Sequence, residues 1–166
     1  MKHKKDKPSA FARFCTPILA GFVLELGCGN GRDVMYFNKL GIPAVGVDPA
    51  FENYCILPED VNDFIKENKC PPQIYTRMFW HAIDRKTQLK ILKWVTGGRL
   101  FIEARTTADK KLKKIYSNHE RNYVDVAQLV RDLKDNGFNI EYLTEGHGLA
   151  KYKTEDPHIV RVIASK

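Results

Sequence analysis

The amino-acid sequence predicts one α/β domain with a doubly wound, mostly parallel sheet of about seven strands. Three observations predict this fold class. Strand-like apolar runs alternate with amphipathic helix-like segments along most of the 166 residues. The first strong run ends in a glycine-rich loop that leads into a helix. The last two runs follow each other without a helix between them, which indicates an antiparallel hairpin at the C-terminal end of the sheet.

Local signals predict the elements in chain order. Ser9 can cap a short helix that continues to about Leu19. The first strand covers residues 22–26, and the helix that begins at Arg32 ends at Gly41, a typical C-terminal cap. Further strands are predicted at residues 44–47, 73–78, 99–104, 138–143 and 159–164, and helices at 59–67, 85–95 and 124–135. The stretch from residue 49 to residue 57 has no clear periodicity.

Composition and cysteine spacing exclude several classes of protein. A chain of this length buries enough surface to form a core without disulfides or metals, and 28% charged residues with 11 glycines and 8 prolines are ordinary for a globular domain. The most apolar stretch, residues 11–26, is interrupted by charged residues and is too polar to span a membrane. The four cysteines are far apart and lack zinc-ligand spacing, so we expect a cytoplasmic protein without a metal.

The glycine-rich loop is the segment that predicts ligand binding. Gly27, Gly29 and Gly31 follow a strand and precede a helix, so the backbone can approach a ligand closely and direct its amides toward it. Asp48 ends the next strand, where a βαβ nucleotide site places a carboxylate against ribose hydroxyls. Dinucleotide-binding loops have a third glycine at the position of Arg32, and Glu25 would repel a pyrophosphate but attract an ammonium group. The pattern therefore favours S-adenosylmethionine over NAD.

At these residues the chain resembles class I S-adenosylmethionine-dependent methyltransferases, which have a Rossmann-like fold. Residues 23–31 (VLELGCGNG) match the first motif of that family, and residues 46–48 (GVD) match the second. The resemblance implies that Glu25 and the three glycines line the methionine half of the cofactor and that Asp48 binds the ribose. Asp60 or Asp63 would contact the adenine, although only 12 residues separate Asp48 from Asp60, which leaves room for at most a shortened helix. The expected cofactor-binding residues are Glu25, Gly27, Cys28, Gly29, Asn30, Gly31, Arg32, Asp33, Asp48, Pro49, Asp60 and Val61.

Further segments resemble small bacterial methyltransferases that modify surface sugars and related small molecules. The matching segments are residues 29–33, 75–83, 101–105, 119–123 and 155–161. Ligands of open α/β sheets lie beyond the carboxyl ends of the strands, so the expected acceptor-site residues are Arg77, His81, Glu103, Arg105 and, in a polar loop, His119. His81 is the first candidate for a general base, because the ordinary pKa of histidine is near neutral, although a structural role is the alternative. Arg105 could pair with Glu103 or bind an anionic substrate.

The net charge of +7 is confined to two segments. Residues 1–14 contribute +4 and residues 109–114 contribute +3, so the rest of the chain is neutral. We expect residues 1–8 to form a flexible basic tail on a single methyltransferase domain of residues 1–166. The expected reaction is methyl transfer to an oxygen or nitrogen of a small, anionic or sugar-linked acceptor. The alternatives are an RNA methyltransferase, an NAD-dependent oxidoreductase and a non-catalytic cofactor-binding protein.

Overall fold

The computed structural model describes residues 7–111 and 122–166, which form a seven-stranded sheet flanked by helices. The helices are α1 (Ala10–Cys15), α2 (Arg32–Lys39), α3 (Val61–Glu67), α4 (Arg85–Trp94) and α5 (Val126–Asp135). The strands are β1 (Val23–Leu26), β2 (Ala44–Val47), β3 (Ile56–Leu57), β4 (Gln73–Arg77), β5 (Arg99–Arg105), β6 (Asn139–Gly146) and β7 (Ile159–Ser165). Short 3₁₀ helices lie at Thr16–Ile18, Trp80–Ala82 and Thr107–Lys111.

The sheet confirms the predicted fold class. Its strand order is β3-β2-β1-β4-β5-β7-β6. The first five strands pair in parallel, and β7 lies antiparallel between β5 and β6. The C-terminal hairpin is therefore part of the same sheet, as its sequence predicted.

Apolar side chains cover both faces of the sheet, as the burial of the central strands on both faces requires. On one face, α1 and α2 pack on the sheet through residues such as Phe11, Phe37 and Tyr75. On the other face, α3, α4 and α5 pack through residues such as Ile91 and Leu133. The two faces differ in polarity, because the α1 and α2 face also buries several ionisable side chains, among them Glu25, Asp33 and Glu103.

Side-chain caps begin several of these helices at the expected residues. Ser9 accepts a hydrogen bond from the amide of Ala12, as predicted. Asp60, Asp84 and Asp125 cap α3, α4 and α5 in the same way. A cap of this kind stabilises a helix by about 1 kcal/mol, which matters for α1 and α3 because both are under eight residues long.

The segment between Asp48 and Asp60 contains no helix. Its regular structure is β3, a two-residue strand in which Ile56 pairs with Gly46. This confirms the prediction of a shortened or missing helix between the second and third strands. None of the helices in the described parts of the chain is long and apolar enough to cross a membrane.

Substitution of Gly98 tests whether the tight turn before β5 requires glycine, and substitution of Gly97 is the control. Gly98 has a φ of +92°, and a Cβ there would overlap the carbonyl of Pro72, whereas a Cβ at Gly97 would meet its nearest atom at 3.9 Å. We expect Gly98→Ala to lower the free energy of unfolding by about 2 kcal/mol or more. Gly97→Ala should change it by under about 1 kcal/mol. Chemical denaturation of both variants measures this, and equal losses would contradict it.

Candidate functional site

The glycine loop forms as predicted between β1 and α2. Gly27, Gly29 and Gly31 have φ values of +69°, +54° and +72°, a left-handed conformation that favours glycine. A Cβ at Gly27 would overlap the ring of Phe79, so the loop lies directly against the end of β4. A Cβ at Gly29 would meet no atom within 4 Å, so this part of the loop faces open space.

Asp48 holds the loop in place. Its Oδ2 accepts a hydrogen bond from the amide of Gly29 at 2.9 Å, and its Oδ1 accepts one from the amide of Ala50 at 3.0 Å. Each carboxylate oxygen has a second lone pair, and the side chain is only partly buried. Asp48 can therefore fix the loop and still accept hydrogen bonds from the hydroxyls of a ligand.

Glu25 is a buried carboxylate beneath the loop, with 3% of its surface exposed. Among residues 7–111 and 122–166, no group donates a hydrogen bond to its Oε2. Burial raises the pKa of Glu25 well above its ordinary value, and the negative charge of Asp33 raises it further, whereas Arg77 and Arg32 act in the opposite direction. A buried carboxylate in this state is stabilised by a ligand that brings a positive charge.

Asp33 is buried beside Glu25, but its oxygens are occupied by protein donors. Oδ1 accepts from the amide of Ser9 at 2.7 Å, and Oδ2 accepts from the hydroxyls of Ser9 at 2.6 Å and Tyr75 at 3.0 Å. These bonds connect the start of α1 to α2 and β4. Arg32, the next residue toward the loop, makes only a long contact of 3.9 Å with Asp33 through its Nε.

The other predicted cofactor-binding residues lie around this loop in different environments. Cys28 is buried, and Asn30 and Pro49 are exposed. Asp60 is exposed and caps α3 by accepting from the amide of Asn62 at 2.8 Å, whereas the side chain of Val61 is buried in the core. Asp60 is thus accessible to a ligand, and Val61 can contribute its backbone.

Glu103 carries the main ion pairs at the carboxyl end of β5. It is 1% exposed, accepts from Arg161 Nε at 2.7 Å, and lies 3.3 Å from Arg77 Nε. Burial raises the pKa of Glu103, while Arg161 and Arg77 oppose that shift. The structure therefore brings together Arg77 and Glu103, as predicted, and adds Arg161 from β7.

Arg105 has other partners than the predicted Glu103. Its guanidinium donates to Asp109 at 2.9 Å and to both oxygens of Glu155 at 3.2 and 2.9 Å. The pairing of Arg105 with Glu103 was wrong, because Arg161 and Arg77 take Glu103 from the neighbouring strands. Arg105 instead connects the end of β5 to the segment between β6 and β7.

His81 is buried just after β4, with 5% of its surface exposed. Its Nδ1 accepts a hydrogen bond from the amide of Arg105 at 3.1 Å, which places the proton of the neutral ring on Nε2. In this tautomer His81 offers a donor, so a role as general base stays a prediction that its geometry does not favour. His119 lies outside the described residues.

Sequence reasoning missed three residues of this cluster: Ser9 as a partner of Asp33, Tyr75, and Arg161. The signal for Arg161 was available, because an arginine in the middle of the apolar run of β7 needs a buried partner. Ser9 was identified as a helix cap, and its second role depends on a contact with a residue 24 positions away. No group of three or more metal-ligating side chains occurs among residues 7–111 and 122–166.

No family model and no curated protein matches the chain. Solved structures match it closely in shape. An S-adenosylmethionine-dependent methyltransferase from Archaeoglobus fulgidus has a TM-score of 0.65 and 18% identity, with 98% of this chain and 97% of that one covered. The glycopeptide N-methyltransferase MtfA with S-adenosylhomocysteine has a TM-score of 0.69 and 15% identity, with 95% and 89% covered.

A third similar structure is 1,6-didemethyltoxoflavin-N1-methyltransferase from Burkholderia thailandensis, which holds 1,6-didemethyltoxoflavin and S-adenosylhomocysteine. Its TM-score is 0.67 at 17% identity, with 95% of this chain and 76% of that one covered. These likenesses show that the chain has the Rossmann-like fold of class I methyltransferases, as its sequence predicted.

The raised pKa of Glu25 predicts a pH-dependent effect on stability. The folded protein holds this proton more tightly than the unfolded chain, so the stability that Glu25 contributes is lost as the pH rises through its folded pKa. We expect Glu25→Gln to unfold at a higher temperature than the unmodified protein at pH 8, by about 2–4 °C for each kcal/mol gained. The difference should shrink toward pH 5.

Glu141→Gln is the matched control for this measurement. Glu141 lies on β6 of the same sheet, and a hydrogen bond with Ser165, together with Arg99, lowers its pKa. Its replacement should give no gain at pH 8. Thermal unfolding between pH 5 and pH 8 tests both variants, and a constant offset for Glu25→Gln at every pH would refute the interpretation.

Proposed function

We propose that this protein is an S-adenosylmethionine-dependent methyltransferase that acts on an oxygen or nitrogen of a small acceptor. The observation that carries the proposal is the pair of carboxylates beside the glycine loop. Glu25 lies buried beneath the loop without a partner for Oε2, and Asp48 lies against Gly29, which faces open space.

These residues fit the cofactor better than they fit a dinucleotide. Glu25 would accept hydrogen bonds from the ammonium group of the methionine moiety. Asp48 would accept them from the ribose hydroxyls, and the exposed Asp60 would accept one from the adenine amine. A pyrophosphate beside Glu25 would be repelled, and Arg32 occupies the place of the third glycine of a dinucleotide-binding loop. The cofactor, when bound, supplies a methyl group on a cationic sulfur.

The similar structures support a small acceptor. MtfA is an N-methyltransferase of a glycopeptide, and the Burkholderia enzyme is an N1-methyltransferase that holds its small-molecule ligand. Both have 15–17% identity to this chain, so the acceptor of this protein is inferred by analogy and from its own residues. We also propose a cytoplasmic location, which the wide spacing of the four cysteines supports.

The residues at the carboxyl ends of β4 and β5 would orient the acceptor. Arg77 and Glu103 lie there on the same face of the sheet as Glu25. His81 lies immediately beyond β4, where its ring is oriented by the amide of Arg105. Methyl transfer is an in-line displacement in which orientation supplies much of the rate, and this ordered site is suited to that task.

Titration calorimetry with S-adenosylhomocysteine tests the cofactor assignment. We expect the unmodified protein to bind it, and Asp48→Ala to weaken binding by about tenfold to a hundredfold through loss of a charged acceptor. Asp125→Ala is the matched control, because Asp125 also accepts a backbone amide but caps α5, away from the glycine loop. Heat from NAD with none from S-adenosylhomocysteine would show that the proposal is wrong.

A methyl-transfer screen identifies the acceptor. The protein would be incubated with S-adenosylmethionine that carries a labelled methyl group, against pools of small metabolites that include sugars and carboxylates, and against bulk RNA. We expect label in the small-molecule pools. Label confined to RNA would favour the nucleic-acid alternative, and Asp48→Ala should lower incorporation in either case.

A further inference from the structure

Three charged side chains form a row across adjacent strands on the α1 and α2 face of the sheet. Arg77 on β4 pairs in register with Glu103 on β5, and Glu103 pairs in register with Arg161 on β7. Two guanidinium groups therefore share one buried carboxylate. Because direct cross-strand neighbours face the same side of a sheet, the row carries one positive charge more than it carries negative charge.

Arg161 makes its polar contacts within the protein. Its Nε donates to Glu103 at 2.7 Å, and its second terminal nitrogen donates to the carbonyl of Leu149 at 2.7 Å. Its guanidinium also lies over the rings of Phe11 and Phe14, at 5.3 and 5.4 Å from their centroids. Only 6% of its surface is exposed, so Arg161 is poorly accessible to a ligand.

Arg77 is in the opposite state. Its Nε lies 3.3 Å from Oε1 of Glu103, yet neither atom makes a hydrogen bond, so the contact is a poorly aligned ion pair. In the described parts of the chain its terminal nitrogens make no hydrogen bond, and 24% of its side chain is exposed. One edge of the guanidinium is thus held by Glu103, and the planar fork that binds oxyanions in a bidentate manner remains available.

The position of Arg77 brings this available fork close to the glycine loop. Two residues beyond Arg77, the ring of Phe79 lies against Gly27. Arg77 also lies on the same face as Glu25, which is in register with Tyr75 on the neighbouring strand. A buried acid and a guanidinium, each with unused hydrogen-bonding capacity, thus lie on one face at the carboxyl ends of β1 and β4.

We propose that Arg77 binds a carboxylate or phosphate oxyanion at the carboxyl end of β4, beside the glycine loop. The proposal rests on the proposed function for the source of that anion. The carboxylate can belong to the amino-acid moiety of the cofactor, or the anion can belong to the acceptor. Both sources present the same chemistry to the guanidinium, and binding measurements separate them.

The test compares Arg77→Gln with the unmodified protein and with Arg99→Gln. Arg99 is a matched control, because it also lies on the sheet and pairs with a glutamate, Glu141, but at the opposite end of β5. The probes for calorimetry are S-adenosylhomocysteine and 5′-methylthioadenosine, which lacks the amino-acid moiety. Inorganic phosphate and acetate are then added to protein saturated with S-adenosylhomocysteine, with the unfolding temperature as the readout.

If the anion is the carboxylate of the cofactor, Arg77→Gln weakens the binding of S-adenosylhomocysteine by about tenfold or more. The binding of 5′-methylthioadenosine is then unchanged. If the anion belongs to the acceptor, both nucleosides bind as before, and phosphate or acetate stabilises the saturated unmodified protein but not Arg77→Gln. Arg99→Gln should match the unmodified protein throughout. Arg77→Lys keeps the charge without the fork and should show an intermediate loss.

Two results separate failure of this inference from failure of the proposed function. Equal behaviour of Arg77→Gln and Arg99→Gln with every probe would overturn the inference. Absence of S-adenosylhomocysteine binding by the unmodified protein would overturn the proposed function, and the phosphate and acetate measurements on the free protein would then decide the inference. If Arg77→Gln does not fold, Arg77→Lys is compared with Arg99→Gln and the unmodified protein for each probe, and equal behaviour would again overturn the inference.

Discussion

The need to neutralise charge inside the core between the sheet and helices α1 and α2 organises this protein. Ionised groups that are removed from water must find partners within the fold or in a ligand. Asp33 is satisfied by Ser9 and Tyr75, whereas Arg161 satisfies one oxygen of Glu103 and Arg77 approaches the other without a hydrogen bond. The same contacts hold α1 on the sheet, so the short N-terminal helix depends on polar bonds as well as on Phe11. Glu25 and Arg77 keep hydrogen-bonding capacity that the contacts within the described residues do not use.

Packing and a hydrogen bond fix the glycine loop relative to the end of β4 and to β2. Close approach of Phe79 to Gly27 requires a residue without a side chain, and Asp48 fixes the amide of Gly29 from the neighbouring strand. The end of β4 and the start of α2 therefore have a fixed relation to each other. Since Arg77 precedes Phe79 by two residues, the same packing that shapes the loop also sets the distance from the loop to the guanidinium.

Sequence reasoning recovered most of the fold because its signals are local. The strand at residues 44–47 and the caps at Ser9 and Gly41 depend on neighbouring residues only. The two-residue strand β3 escaped detection because periodicity cannot appear in two residues, and its pairing partner, Gly46, is ten positions away. Within the site, the loop and Asp48 were predictable from the spacing of their residues. The pairing of Glu103 with Arg161 and of Arg105 with Glu155 was not predictable, because it depends on β7 lying next to β5 in the sheet.

Polar contacts at the end of β5 join this strand to the segment between β6 and β7. Arg105 joins Asp109, four residues later, to Glu155, fifty residues later. Thr106 Oγ1 lies 2.7 Å from His158 Nδ1, and the amide of His158 donates to Asp109. Burial lowers the pKa of Arg105, but its bonds to Glu155 and Asp109 raise it more, so this group stays charged. The segment between β6 and β7 is thus held against the carboxyl end of the sheet by the ion pair of Arg105 with Glu155 and by the hydrogen bonds of His158.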